Sequence, residues 1–253
     1  MSGHARTAAE PEFEYRQNGA NWGGLAQTGK EQSPIDLNEF PEDQEEVHIL
    51  SSVHARYHPL HLNYPINSTY DLDPDTNTFK LTGLQGGFEA VTIDSSDGTP
   101  SQFHVRNLHF HAPSEHSVKH HLLDLEMHIV HATEDRQLGV LGVLFHESAH
   151  RSPLLDAIIH RRALDLNAQL GTVIDNFYFY KGSLTTPPCT EGVNWFVLRY
   201  GEAIALPATP DQLKFFTSKW ADNQAFAGGK GNNRAVQSTG CRTLYKMVAH
   251  TQQ

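Results

Sequence analysis

The sequence predicts a single, mainly β domain (α+β by content), with a large, twisted, mostly antiparallel central sheet and a few short peripheral helices. Three observations carry that prediction. Short apolar or alternating runs recur through most of the chain. Turn clusters such as Asp73-Pro74-Asp75, Gly86-Gly87 and Asp97-Gly98-Thr99-Pro100 separate them, and only two segments repeat apolar residues at helical spacing. No internal repeat, low-complexity linker or composition break divides the 253 residues. Residues 13–253 are therefore read as one domain, behind a loose, polar, aperiodic arm over residues 1–12.

Residues 13–37 are Gly-rich and turn-like, closing in Gln32-Ser33-Pro34-Ile35-Asp36. Strands are expected over residues 47–53, 60–64, 78–81, 88–93, 104–111, 125–131 and 139–145, and again over 177–180 and 193–199. The run over 139–145 is almost wholly apolar and reads as a central strand buried on both faces. Ser152-Pro153 opens the first helix with an N-cap and a proline at its first position, and Leu154, Leu155, Ile158 and Ile159 form its apolar stripe. Thr209-Pro210-Asp211-Gln212 opens the second as a capping box, with Leu213, Phe216 and Trp220 at helical spacing.

Charge narrows the function classes. The formal net charge is −10, and the basic residues are scattered, with Arg161-Arg162 an adjacent pair near the middle. A nucleic-acid partner needs clustered Lys and Arg, so none is expected. No apolar run approaches the roughly 20 residues of a membrane helix, so no membrane span is expected. The opening residues carry no hydrophobic signal-peptide core. Cys189 and Cys241 are the two cysteines; they are able to form one disulfide or to stay free, which leaves the compartment open. Oligomeric state is not encoded in any pattern here.

The chemistry concentrates in Asn107-Leu-His109-Phe-His111 and Glu126-Met-His128-Ile-Val130-His131. Residues two apart on a strand share a face. His109 and His111 therefore point together, and Glu126, His128 and Val130 share a face on the second strand. Side by side, the two strands bring three imidazoles to one point, with Asn107 and Glu126 behind them. Three neutral nitrogens leave a tetrahedral divalent ion one open position, the arrangement of a catalytic zinc site. Asn107 and Glu126 would accept the ligands' other ring N–H groups and fix their tautomers. A lone H-x-H among 17 histidines is a weak signal; the carboxylate two residues before the third histidine strengthens it.

Taken with Gln32-Ser33-Pro34-Ile35-Asp36, Ala112-Pro113-Ser114-Glu115-His116, Gly182-Ser183-Leu184-Thr185-Thr186-Pro187-Pro188 and Asn233-Arg234-Ala-Val-Gln237, these motifs resemble the α-class carbonic anhydrases, in wording closer to the bacterial and algal branch. The resemblance covers nearly the whole chain. It implies Zn2+ held by His109, His111 and His128, with Asn107, Glu126 and His116 behind them. It also implies reversible hydration of CO2 to bicarbonate and a proton by zinc-bound hydroxide, with weak esterase side activity. Thr185 would accept a hydrogen bond from that hydroxide because Glu115 takes the threonine's own proton. Thr186 would sit beside the substrate, and Val130, Val140, Leu184, Val193 and Trp195 would form the apolar CO2 pocket. Tyr15 would join the proton-carrying water network. Anions and sulfonamides would inhibit, and a secreted, periplasmic or organelle-lumen setting is favoured over the cytoplasm.

Read alone, Val130, Val140, Leu184 and Trp195 are ordinary core residues, and Glu115 an ordinary surface carboxylate; only their order around the histidines lifts them. A non-catalytic storage or binding protein on the same fold is the alternative, since fold does not imply function. A zinc hydrolase of the H-E-x-x-H kind is not supported: His146-Glu147-Ser148-Ala149-His150 has the spacing, but it follows directly on the strand read over 139–145 and not on a helix, where the two histidines would share a face. The chain also departs from the pattern it resembles. The stretch matching the family's proton-ferrying histidine is Leu84-Gln85-Gly86-Gly87-Phe88, without a histidine, and a histidine placed at Gln85 or Gly87 is expected to restore the function. Cys189 matches half of a disulfide found in secreted members, whose partner position falls near Ala26-Gln27.

Overall fold

The computed structural model describes residues 13–37, 58–73, 77–95, 97–200 and 203–247. The arm over residues 1–12 and the strand expected over 47–53 lie outside the described residues.

The chain enters with one helical turn, α1 (Leu25–Thr28), then lays down β1 (Leu60–Leu62), β2 (Asp71–Asp73), β3 (Lys80–Thr82), β4 (Gly87–Ala90) and the long β5 (Ser101–His111). A small hairpin, β6 (Ser117–Val118) and β7 (His121–Leu122), precedes the central strands β8 (Leu125–Ala132) and β9 (Leu138–Glu147). Helices α2 (Pro153–Ile159) and α3 (Leu166–Leu170) follow. The remainder is β10 (Val173–Ile174), β11 (Phe177–Ser183), β12 (Glu191–Leu198), β13 (Ala205–Ala208), α4 (Pro210–Thr217) and β14 (Tyr245–Met247).

Among the described residues, twelve strands make one sheet, with main path β10-β1-β4-β5-β8-β9-β12-β11-β14. The pairings are antiparallel except for β9 with β12 and with β13. Residues 139–145 of β9 are all buried, as their apolar run requires of a strand covered on both faces. Two central strands each serve two partners along one edge. β9 takes β12 and then β13, while β5 pairs β4 through residues 101–104 and β3 at residues 108–109. A bulge at Arg106 separates the two halves of β5 and leaves that side chain exposed.

The faces of the sheet carry different cores. Leu81, Leu108, Phe110, Met127, Ile129, Leu141, Val143 and Phe145 pack on one side with α2 and α4. On the other, Ile35, Val140, Leu144, Tyr180, Val193, Trp195 and Val197 form a second cluster. The helix starts follow their sequence signals. Ser152 Oγ accepts from Leu155 N at 3.3 Å, and Gln212 Oε1 accepts from Thr209 N at 3.1 Å. The buried Gln212 amide also bonds both backbone groups of Ser152, tying the two helix starts together. α4 ends at Thr217, so Trp220 is buried in the following turn and not on the helix stripe as expected.

Some strand limits differ from expectation. β3 starts at Lys80, two residues after the expected start, and the strand expected over 88–93 stops at Ala90, because β4 reaches only Ser101 of β5 and Ile93 is half exposed. No helix among the described residues is long and apolar enough to cross a membrane. Both cysteines are free thiols, Cys189 buried and Cys241 exposed.

Candidate metal centre

β5 and β8 pair with His109 opposite His128. Alternation sends Leu108, Phe110, Met127 and Ile129 into the core, so Asn107, His109, His111, Glu126, His128 and Val130 share the other face. The ligand nitrogens of His109, His111 and His128 lie within 4.8 Å of one another.

Each ring has one nitrogen already committed. His109 Nδ1 donates to Asn107 Oδ1 at 2.8 Å, His111 Nδ1 to the Asn232 carbonyl at 2.9 Å, and His128 Nε2 to Glu126 Oε1 at 2.9 Å. Those acceptors fix the tautomers, leaving His109 Nε2, His111 Nε2 and His128 Nδ1 to face one another. His111 Nε2 is buried and has no hydrogen-bond partner, a state that costs free energy unless something binds there. Burial pushes His111 down to about 4. Burial and the neighbouring rings hold His109 well below its ordinary value. Burial also lowers His128, against the pull of Glu126. The rings are therefore neutral at pH 7, as metal ligands must be. Three converging neutral nitrogens, one an orphan, fit a tetrahedral zinc ion with a fourth position open.

Behind the ligands lies a dense polar frame. Burial raises the Glu126 carboxyl, but His116 and His128 outweigh that and hold it well below the usual carboxylate range. Its Oε2 accepts from the backbone N–H of Glu115 and of His116, each at 2.8 Å, and its Oε1 accepts from His116 Nδ1 at 2.6 Å. His116 Nε2 then meets the Tyr180 hydroxyl at 2.7 Å, which meets Ser33 Oγ at 2.9 Å. His116, Glu126 and His128 also cluster closely, but the His116 Nδ1 and His128 Nε2 atoms there are spent on the carboxylate.

Glu115 is wholly buried, and its Oε1 accepts from Arg234 N at 2.7 Å. Burial pushes its carboxyl up to about 7, against His128, the Thr185 hydroxyl and the Arg234 N–H. Thr185 is thus beside Glu115, while Glu115 Oε2 keeps no hydrogen-bond partner. Thr186, half-buried in the same loop, offers its carbonyl to Cys189 N at 2.8 Å.

The five apolar residues named from the sequence fall together. Val140, Val193 and Trp195 are buried in one cluster, against which Val130 and Leu184 pack half-buried. The Trp195 ring centroid lies 4.8 Å from that of His128, so this wall adjoins the histidines. Tyr15 is buried, edge-on to Phe13 and Trp22 and stacked on Phe226 at 5.9 Å.

No sequence pattern marks Asn232 or Tyr180, and Ser33 is marked only as part of the Gln32–Asp36 motif. Asn232 is 121 residues from His111 and acts through its backbone carbonyl, a role no side-chain pattern signals. The neighbouring Asn233-Arg234 belongs to the motifs that carry the resemblance, and Arg234 N is the donor to Glu115.

Comparison with known proteins gives a consistent result. A family model described as eukaryotic-type carbonic anhydrase matches residues 17–248. A carbonic anhydrase of Neisseria gonorrhoeae is 30% identical over 240 residues, covering 88% of this chain and 82% of the relative. Dioscorin dioA3 of Dioscorea japonica is 29% identical over 264 residues, covering 94% and 87%. Among solved structures, the α-carbonic anhydrase of Thermovibrio ammonificans in complex with the inhibitor sulfanilamide superposes with a TM-score of 0.66 at 28% identity, covering 88% of this chain and 89% of that one.

Proposed function

The chain belongs to the carbonic anhydrase family, and from that premise we propose that it hydrates CO2 reversibly to bicarbonate and a proton at the centre made by His109, His111 and His128. The observation that carries the reading is an open three-nitrogen centre next to an apolar wall. The family is zinc-dependent, and the donor set fits zinc. When bound, zinc lowers the pKa of coordinated water to about 7 and so supplies a nucleophile at neutral pH.

The chain's own residues do the rest. Asn107, Glu126 and the Asn232 carbonyl hold the three rings in their ligating tautomers. Thr185, beside Glu115, orients the attacking oxygen: with its proton directed at the carboxylate, its hydroxyl can only accept. Val130, Val140, Leu184, Val193 and Trp195 give a small uncharged molecule a place without competing for the metal. Thr186 flanks that place. The same centre is expected to turn over activated esters weakly and to bind sulfonamides and anions.

The non-catalytic reading is weaker, because the chain keeps three histidines with open nitrogens together with Thr185 and Glu115. Stopped-flow CO2 hydration across pH, with metal analysis of the same sample before and after chelation, tests the proposal. A sample holding one zinc per chain that does not accelerate hydration overturns it.

A further inference from the structure

One cross-strand row of the sheet runs from a charged end, through the metal ligands, to an apolar end. The register pairs Asp73 with Lys80, Lys80 with His109, His109 with His128, His128 with Gly142, and Gly142 with Val197. Directly paired residues share a face, so Lys80 and Asp73 stand on the face that carries the ligands. The sense of β3 is fixed by Leu81, which is wholly buried in the opposite core and pairs with Leu108. Lys80 Nζ lies 3.2 Å from Asp73 Oδ2, and both side chains are partly exposed, at 27% and 29%.

The order along the row matters. Adjacent strands are about 4.8 Å apart, so the Lys80 side chain starts one strand from His109 and that of Asp73 two. The cationic member of the pair is the one on the strand next to the ligands.

Resting on the carbonic anhydrase reading, we propose that Lys80, braced by Asp73, is an anion-binding group at the edge of this site that holds small monovalent anions, the bicarbonate product among them. CO2 carries no charge and gains nothing from Lys80. Bicarbonate does, and departs against that attraction. The β2–β3 hairpin thereby sets how strongly product and competing anions occupy the site.

The test uses zinc-loaded full-length protein, titrated calorimetrically with thiocyanate and separately with bicarbonate, and a cobalt-loaded sample whose visible spectrum reports the same binding. K80Q is expected to weaken both anions by on the order of five- to tenfold, since a half-exposed charge one strand away acts through a dielectric between those of protein and water. K80R should stay within about twofold of the parent because it keeps the charge, and D73N should bind tighter because the opposing carboxylate is neutralised. The gap between the parent and K80Q should shrink above about 0.1 M salt, where the screening length is near 10 Å. Equal anion affinities in the parent and K80Q overturn the proposal. So does weakening by D73N as large as that by K80Q, which would mean the ion pair only shapes the hairpin. A parent protein that holds no zinc, or holds zinc without hydrating CO2, overturns the underlying reading as well and is recognised without any variant.

Discussion

Glu126 and His128 stand two residues apart on β8, and the 2.9 Å contact between Glu126 Oε1 and His128 Nε2 turns that ring to offer Nδ1 to the centre, whereas His109 and His111 offer Nε2. One carboxylate therefore sets which nitrogen His128 offers while also accepting two backbone N–H groups. E126Q keeps the shape but puts a donor where an acceptor is needed on at least one side. Zinc affinity, measured by chelator competition, is expected to fall about 10- to 100-fold. H128A should lose most of the metal and nearly all activity. Parent-like zinc affinity in E126Q would show that the tautomer is held by something else.

Thr185 and Glu115 should behave as one unit. Removing a preorganised hydrogen-bonding group at a reacting centre costs on the order of 10²-fold in rate, so T185A should lose about that much while zinc stays bound. The T185A/E115Q double variant should lose little more than T185A alone, because residues acting together are non-additive. Full additivity in kcat/KM would separate their roles.

Much of this was legible in the sequence because it rests on local periodicity. Alternation placed His109, His111, Glu126 and His128 on one face, and the apolar run over 139–145 marked the strand buried on both faces. What escaped has no local signature. The elements α1, β2, β6, β7, α3, β10, β13 and β14 are two to five residues long, too short for a period to show. The Asn232 carbonyl, the Tyr180–Ser33 link and the Lys80–His109 register each join segments distant in sequence. The pocket valines and Trp195 look in sequence like core because, in the structure, they are partly core as well.

Asn232 tests that long-range part directly. Its Oδ1 accepts from Ala112 N, and its Nδ2 donates to Asn77 O and Phe110 O, all at 3.0 Å. N232A removes three hydrogen bonds, two of them with the backbone of Phe110 and Ala112 at the end of the ligand strand. At about 1 kcal/mol net each, stability should fall by about 3 kcal/mol. Zinc affinity should fall too, because the carbonyl that orients His111 loses its anchor. Urea denaturation and chelator competition read the two effects separately.

His131 carries a pH signature of its own. It is buried on the core side, its Nε2 accepting from the Tyr64 hydroxyl at 2.6 Å, and burial pushes it down to about 3 from 6.5. Its folded pKa is below the unfolded one, so between those values the unfolded chain binds more protons and stability rises with pH. Stability of the metal-free protein should therefore drop as pH falls from about 6.5 toward 3, with one such group contributing about 1.4 kcal/mol per pH unit. The Y64F/H131F pair removes the titrating ring without orphaning the tyrosine hydroxyl. Its urea midpoint should depend less steeply on pH than the parent's; an unchanged slope would place the effect on other groups.

Proton export is the step for which the resemblance read from the sequence leaves no residue in place. Each hydration releases one proton, and the stretch where the family resemblance places a ferrying histidine reads Leu84-Gln85-Gly86-Gly87-Phe88. Gly87 is buried opposite His104, and a Cβ built there would lie 1.8 Å from the Phe103 carbonyl oxygen. No side chain fits that position. A histidine at Gly87, expected from sequence to restore the function, should instead destabilise the protein, because β4 would have to move off β5. Capture of CO2 does not depend on this step, so kcat/KM should be insensitive to buffer. The maximal rate should rise with added imidazole-type buffer, whose pKa near 7 suits it to carry the proton. Stopped-flow hydration at fixed pH and ionic strength, with imidazole varied, separates the two constants. A maximal rate that is already high and flat across that series would mean that a working proton path exists elsewhere on the site face.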